Sequence, residues 1–248
     1  MAPVPNIKAV IEYDGTDFCG FQKQPSVRTI QGELDRALRE LFHEPAVKVI
    51  GAGRTDAGVH AIGQVVSFTA PEAFPIDRIC PALNGLLPVS IRAKSAEEVP
   101  EQFHARYSAK ARTYVYVALN RAAPSALLAR YAWHLTQPLD IEAMREAARE
   151  LVGTRDFASF GVPGRAGAST VRQVFDLTIA RRRAAVLFRT RANAFLRGMA
   201  RAIVGALVEV GLGKRRPEDV AEMLAARDRR AAGVSAPPHG LFLVSVEY

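Results

Sequence analysis

The ten residues Gly51-Ala-Gly-Arg-Thr-Asp-Ala-Gly-Val-His60 concentrate three glycines, a guanidinium, a carboxylate and an imidazole. A dinucleotide-binding loop would carry glycine where Asp56 stands and would open a helix, whereas Gln64 to Thr69 reads as a strand. A phosphate-cradling loop of the Walker type needs Lys and then Ser or Thr after its last glycine, but Gly58 is followed by Val59 and His60. With both excluded, what is left is a flexible backbone presenting Asp56 two residues beyond Arg54. In an extended segment such residues share one side, and glycines let the main chain approach a ligand closely. A carboxylate beside a guanidinium stays ionised, the state a nucleophile needs. The same spacing suits a structural aspartate salt-bridged to Arg54 in a glycine-rich turn. Both readings stand on spacing alone.

The elements that must position this loop follow from hydrophobic period. Asn6 to Tyr13 is rich in Ile and Val and predicts a first strand. From Thr29, an N-cap type, apolar residues recur at Ile30, Leu34, Ala37, Leu38, Leu41 and Phe42, the spacing of one helix face, and Pro45 stops that helix. Val47 to Ile50 and Gln64 to Thr69 are expected strands flanking the glycine-rich connection, and a helix containing Pro81 is expected over Asp77 to Leu86. Further on, Arg112 to Leu119, Thr170 to Ala180, Ala185 to Arg191 and Leu241 to Tyr248 read as strands, with a basic turn at Arg181–Arg183 making a hairpin. Helices are expected at Ile141 to Leu151, at Phe195 to Val210, and from Pro217 to Ala226. Strands cluster without regular strand–helix alternation, which predicts an α+β fold of two halves, each a mainly antiparallel sheet with helices. The halves are placed at residues 1–105 and 106–248.

The chain has 248 residues, 49% hydrophobic and 23% charged, ordinary globular usage that excludes disordered, collagen-like and coiled-coil classes. The longest stretch free of Asp, Glu, Lys and Arg, Ala231 to Val246, is broken by Pro237, Pro238 and Gly240 and is too short for a membrane helix. Met1 to Asp14 lacks the basic start and apolar run of an export signal, and Cys19 and Cys80 stand far apart, so a cytoplasmic chain without disulfides or a zinc site is expected. Charge is uneven. Residues 1–105 carry 10 basic and 13 acidic side chains, residues 106–248 carry 23 and 12, so the second half is a candidate polyanion footprint. A solvated basic face gives the same tally. On these grounds a non-catalytic RNA-binding protein competes with an enzyme, while a glycosidase would want a pair of carboxylates where the motif offers Asp56 alone.

Gly53-Arg-Thr-Asp-Ala-Gly-Val-His60 resembles the active-site motif of the tRNA pseudouridine synthase A family. The likeness runs through nearly the whole chain in order: Tyr13-Asp-Gly-Thr16, Gly20-Phe-Gln22, Leu83-Asn84 with Leu87-Pro88, Phe103-His-Ala-Arg106, Arg112-Thr-Tyr-Val-Tyr116, Gly153-Thr-Arg-Asp-Phe-Ala-Ser-Phe160, Asn193-Ala-Phe195 with Met199-Ala-Arg201 and Gly205, and Ala236-Pro-Pro-His-Gly-Leu-Phe-Leu243. Phe21 stands where many members carry Trp, Arg197-Gly198 replaces more usual residues, and Ala200 replaces a common Val.

The resemblance implies the pseudouridine synthase fold, with sheets meeting at a central RNA-binding cleft. It implies isomerisation of uridine to pseudouridine in the anticodon stem-loop of tRNA, at positions 38, 39 and 40, with neither cofactor nor metal, by a homodimer. It makes Asp56 the nucleophile, Tyr114 the tyrosine stacked on the base, Arg201 a second arginine facing Asp56, and Arg54 a phosphate holder or a partner of Asp56. Leu241 or Leu243 would pack on the other face of the uracil. RNA docking falls to Phe103, His104, Ala105, Arg106 and Tyr107 and to Arg165 in the loop Gly161 to Ala168. His60 and His239 are expected to be structural, and Tyr116 a core residue on the same strand as Tyr114.

Overall fold

The structure, a computed structural model, describes residues 5–70, 74–165 and 167–248. The chain divides into two compact units, one of residues 1–110 with 243–248, the other of residues 111–242. The division falls at 110/111, five residues beyond the expected 105/106, and the last six residues belong to the first unit.

In the first unit β1 (Asn6–Tyr13) pairs antiparallel with β3 (His60–Thr69) on one side and β4 (Ile91–Val99) on the other. β1 alternates, burying Ile7, Ala9, Ile11 and Tyr13, the period-2 pattern of a strand with one covered face. Helices α1 (Ile30–Phe42) and α2 (Ile76–Leu86) bring Ile30, Leu34, Leu38, Ile79 and Leu83 into the unit's core. Thr29 caps α1 by accepting the Gly32 N–H, and the helix ends at His43 in the left-handed region, two residues before Pro45.

The expected strand at Val47 to Ile50 shrinks to β2, Ile50–Gly51, paired with β3. The reason lies in α1, whose side chains take the backbone groups a ladder would use. Buried Asp35 accepts the Val49 N–H (3.0 Å), Gln31 donates to the Val49 carbonyl (2.9 Å) and Arg39 to the Val47 carbonyl (3.3 Å). β4, not expected from the sequence, is an edge strand carrying Arg92, Lys94, Glu97 and Glu98, so it lacks the apolar alternation that betrays a strand.

The second unit orders β5 (Ala111–Asn120), β9 (Ala185–Ala192), β8 (Val171–Arg182) and β7 (Gly153–Asp156) as an antiparallel sheet, with short β6 (Trp133–Leu135) parallel to β5. α3 (Ile141–Glu150), α4 (Met199–Gly211) and α5 (Asp219–Ala226) bury Met144, Ile203, Leu207, Val220 and Met223. The hairpin of β8 and β9 forms as expected, with Arg181 and Arg182 inside the ladder and Arg183 turning at φ 54°.

Two helices start later than expected. α4 begins at Met199, not Phe195, because Gly198 sits at φ 79° and Arg197 exchanges both backbone hydrogen bonds with Val162 (3.0 and 3.1 Å), a bridge no helix interior permits. α5 begins at Asp219, and Pro217 and Glu218 form the turn before it. No helix among the described residues is long and apolar enough to cross a membrane.

Candidate active site

Asp56 stands in the connection from β2 to β3, and side chains of its own unit fix the residues around it. The Thr55 Oγ1 lies 2.8 Å from the Tyr13 hydroxyl, and the Thr55 carbonyl accepts the Phe21 N–H at 3.0 Å. The Gln64 Nε2 donates to the Gly53 carbonyl at 2.9 Å and lies 3.4 Å from the Tyr13 oxygen. Beyond the aspartate, the Val59 N–H donates to the Asp56 carbonyl at 3.2 Å and closes a turn. The segment Tyr13 to Gln22 can lie against this loop because Gly20 adopts φ 87°; a Cβ there would sit 2.8 Å from the Thr55 carbonyl oxygen.

Asp56 is half-buried and Arg54 exposed. Among the described residues Arg54 makes no ion pair, so the salt-bridged turn that spacing left open is not formed. His60 is buried, and its Nδ1 accepts the Gly15 N–H at 3.0 Å. An Asp14 oxygen lies 3.1 Å from the same nitrogen, but it already accepts from the Thr16 amide and hydroxyl. His60 thus ties the turn after β1 to the foot of β3.

Burial pushes the Tyr13 phenol up to about 12 despite its bonds with Thr55 and Gln64. The folded chain therefore holds a proton that the unfolded chain releases above pH 10, and stability falls as pH rises from about 10 towards 12. Buried Tyr116 is raised in the same direction, again by desolvation. Urea unfolding at pH 8 and at pH 10.5 is expected to show a lower midpoint at the higher pH, with a smaller drop in Tyr13→Phe. An equal drop in that variant removes Tyr13 as a source.

The turn Phe103 to Tyr107 is held from within the first unit. Asn6 donates to the Phe103 carbonyl (2.9 Å), Ala105 to the Ser67 hydroxyl (3.2 Å) and the Tyr248 hydroxyl to the Ala105 carbonyl (2.8 Å). The His104 Nδ1 accepts the N–H groups of Arg106 and Tyr107 (3.2 and 3.3 Å). Phe103 and Ala105 are anchors in this arrangement. Tyr107, 76% exposed, turns outward with its ring 4.4 Å from that of His104 and the Arg106 guanidinium 5.5 Å above it, a cationic and aromatic surface of the kind that stacks on bases. Leu243 has no exposed surface.

In the second unit Tyr114 points inward from β5, opposite Thr190, with its ring edge-on to Phe195 at 4.8 Å. Tyr116 is a core residue as expected, its hydroxyl donating to the Pro237 carbonyl at 2.9 Å. Arg201 is half-buried on the first turn of α4; its Nε donates to the Ala236 carbonyl (2.7 Å), and its own carbonyl accepts the Ala236 N–H (3.0 Å). The loop carrying exposed Arg165 is pinned at Val162 to Arg197. Pro238 to Gly240 form a short 3₁₀ turn containing His239.

Much of the basic charge is engaged inside this unit. Arg181 donates to Asn120 and the Leu139 carbonyl, Arg229 to Ser235 and the Gly233 carbonyl, while Arg215, Arg216, Arg227 and Arg230 pair with Glu209, Asp219, Asp156 and Asp228. The Arg230 side chain, with its backbone amide, holds Asp228 down at about 2. Arg149, Arg165, Arg182, Arg183, Arg197 and Lys214 are exposed and, among the described residues, outside any ion pair or side-chain hydrogen bond, while exposed Arg121 and Arg155 reach only backbone carbonyls. They define a much smaller set than the sequence tally suggests.

Of the residues singled out in sequence, Arg54, Asp56, Leu243 and Phe103 to Tyr107 belong to the first unit, and Tyr114, Arg165 and Arg201 to the second. Thr55 and Gln64 are anchors that the motif alone does not reveal. The available signal was Gln64 itself, an amide at the centre of an otherwise apolar strand, where a buried polar group needs partners.

A family model described as tRNA pseudouridine synthase matches residues 9–108 and 147–248. The tRNA pseudouridine synthase A of Halalkalibacterium halodurans is 47% identical over 231 residues, which cover 93% of this chain and 88% of that protein. That of Thermoanaerobacter sp. is 43% identical over 243 residues, 98% of this chain and 99% of that one. Among solved structures, an archaeal box H/ACA sRNP Nop10-Cbf5 complex aligns over 82% of this chain and 43% of that chain at 15% identity, with a TM-score of 0.37.

Proposed function

The chain belongs to the tRNA pseudouridine synthase family and is an isomerase acting on tRNA; from that premise we propose that it converts uridine to pseudouridine in the anticodon stem-loop, at positions 38, 39 and 40, with Asp56 as the nucleophile. The observation that carries the assignment to Asp56 is its setting: a half-buried carboxylate on a loop clamped at Gly53 and Thr55, not consumed by its neighbour Arg54.

The reaction breaks the N1–C1′ bond, joins C1′ to C5, and moves a proton from C5 to solvent while N1 gains one. Atoms and electrons balance within the nucleotide, so no oxidant or group donor is called for. A stacked, paired base hides its glycosidic linkage, so the target nucleotide leaves the helix before the carboxylate acts at C1′, at C6 or on the C2′ proton. In this reading Tyr114 stacks on the uracil and exposed Arg54 holds a phosphate. We propose a cytoplasmic homodimer, one copy gripping the tRNA body while the other acts on the base; the support for this is the family resemblance.

The test is release of tritium into water from tRNA labelled at uridine C5, one label per product. No release from any tRNA with uridine in the anticodon arm would overturn the proposal. The RNA footprint has its own check. Neutralising Arg182 and Arg183 together is expected to lower the slope of log K against log salt by about 1.5, at roughly 0.7–0.9 per phosphate contact. An unchanged slope would remove the hairpin tip from the footprint. Arg181→Ala is expected to lower the melting temperature instead, since it strips Asn120 and the Leu139 carbonyl of a donor.

A further inference from the structure

We infer that Tyr13, Thr55 and Gln64 are positioning residues for Asp56, a buried hydroxyl–hydroxyl–amide chain whose task is to hold the catalytic loop in register; the inference rests on the proposed role of Asp56.

The three side chains are 3%, 7% and 0% exposed. Burying polar groups brings little net stability, and apolar groups of the same shape often serve a core as well. What the polar chain does that an apolar patch cannot is fix direction. The Gln64 Oε1 takes its own neighbour's N–H, from Val65 at 3.2 Å, which turns Nε2 towards the Gly53 carbonyl at 2.9 Å and the Tyr13 oxygen at 3.4 Å. The Tyr13 oxygen in turn meets Thr55 Oγ1 at 2.8 Å, and either hydroxyl can donate.

The chain therefore grips the loop at two points, the Gly53 carbonyl and the Thr55 side chain, on either side of Arg54. The second grip is immediately before Asp56. Arg54 itself is exposed and without an ion pair among the described residues, so it does not anchor the loop. Tyr13 is also where the pairing of β1 with β3 shifts register, between Ile11 and Tyr13. Such an irregularity re-aims a side chain, and here the phenol ends beneath the loop. Reacting groups must be held to about 0.5 Å by the shell behind them.

The test combines Tyr13→Phe, Thr55→Val, their double variant, Thr55→Ser and Gln64→Glu, with kcat and KM read from tritium release and folding from thermal unfolding. Tyr13→Phe with Thr55→Val removes both hydroxyls without leaving one orphaned. It is expected to fold, to keep KM for tRNA, and to lose kcat by about 10- to 100-fold, the scale of a loop displaced by about 1 Å. Thr55→Ser is expected to restore most of kcat relative to Thr55→Val, and Gln64→Glu to lose it, because a carboxylate then faces the Gly53 carbonyl. Parental kcat in the double variant overturns the inference, as does a rise in KM that accounts for the whole loss. If the double variant does not fold, equal kcat in Thr55→Ser and Thr55→Val overturns it. Asp56→Asn, assayed alongside, separates the two claims: parental turnover there sinks the proposed function, whereas a dead Asp56→Asn beside a fully active double variant sinks only the positioning role.

Discussion

Asp56→Asn is expected to bind tRNA within about twofold of the parent and to lose turnover by roughly four orders of magnitude or more, the scale seen when a catalytic centre loses its reacting group. The amide has the carboxylate's shape, and the loop that carries it is held by Tyr13, Gln64 and Phe21, with the Asp56 carbonyl held by Val59. It has no negative charge and cannot attack. Removing an anion from a surface that meets phosphates does not weaken binding. Unchanged affinity with no tritium release therefore assigns the loss to chemistry. A non-catalytic RNA binder would show no release from either protein. A nucleoside glycosidase would place the label in free uracil and leave an abasic site, so analysis of the products separates that reading as well. Parental release from Asp56→Asn would end the assignment of the nucleophile.

The loop was legible because its chemistry is compressed into consecutive residues, and the helix α1 because a polar cap, an apolar stripe and a proline agree with one another from Thr29 to Pro45. Side-chain competition for backbone groups was not legible. Val47 to Ile50 has the composition of a strand, yet Gln31, Asp35 and Arg39, spaced at one helix face, take its carbonyls and amide. Nothing local to residues 47–50 records this. Gly198 marks the true start of α4, but glycine inside an apolar helical pattern reads as a tolerated interruption until its φ is known.

The basic second half illustrates the same limit from the side of charge. A tally of Arg and Lys cannot tell a guanidinium spent on Asn120, Ser235 or a neighbouring carboxylate from one facing solvent. Spacing helps in part: Arg216 with Asp219 and Arg230 with Asp228 are near neighbours in sequence. Arg227 with Asp156 and Arg181 with Asn120 are long-range pairs that only the fold creates. The consequence for function is that candidate phosphate contacts concentrate on Arg149, Arg165, Arg182, Arg183, Arg197 and Lys214.

Tyr114 gives the second large effect. It is only 7% exposed, set edge-on to Phe195, so its removal acts on the fold and on the substrate together. Tyr114→Ala is expected to cost about 3–5 kcal/mol of stability through the cavity left by a large ring, and about 5- to 150-fold in kcat/KM if a base loses a stack worth about 1–3 kcal/mol. Two further variants separate these costs. Tyr114→Phe keeps ring and volume and is expected to stay within a fewfold of the parent in both measurements. Tyr114→Leu fills most of the space without a π-face, so it recovers much of the stability while leaving kcat/KM low. Tyr116, two residues along the same face of β5, is the control: Tyr116→Phe leaves the Pro237 carbonyl without its donor, at a cost of about 1 kcal/mol, and is expected to turn over like the parent. A well-folded Tyr114→Leu with parental kcat/KM would make Tyr114 a core residue of the same kind as Tyr116 and take it out of the substrate site.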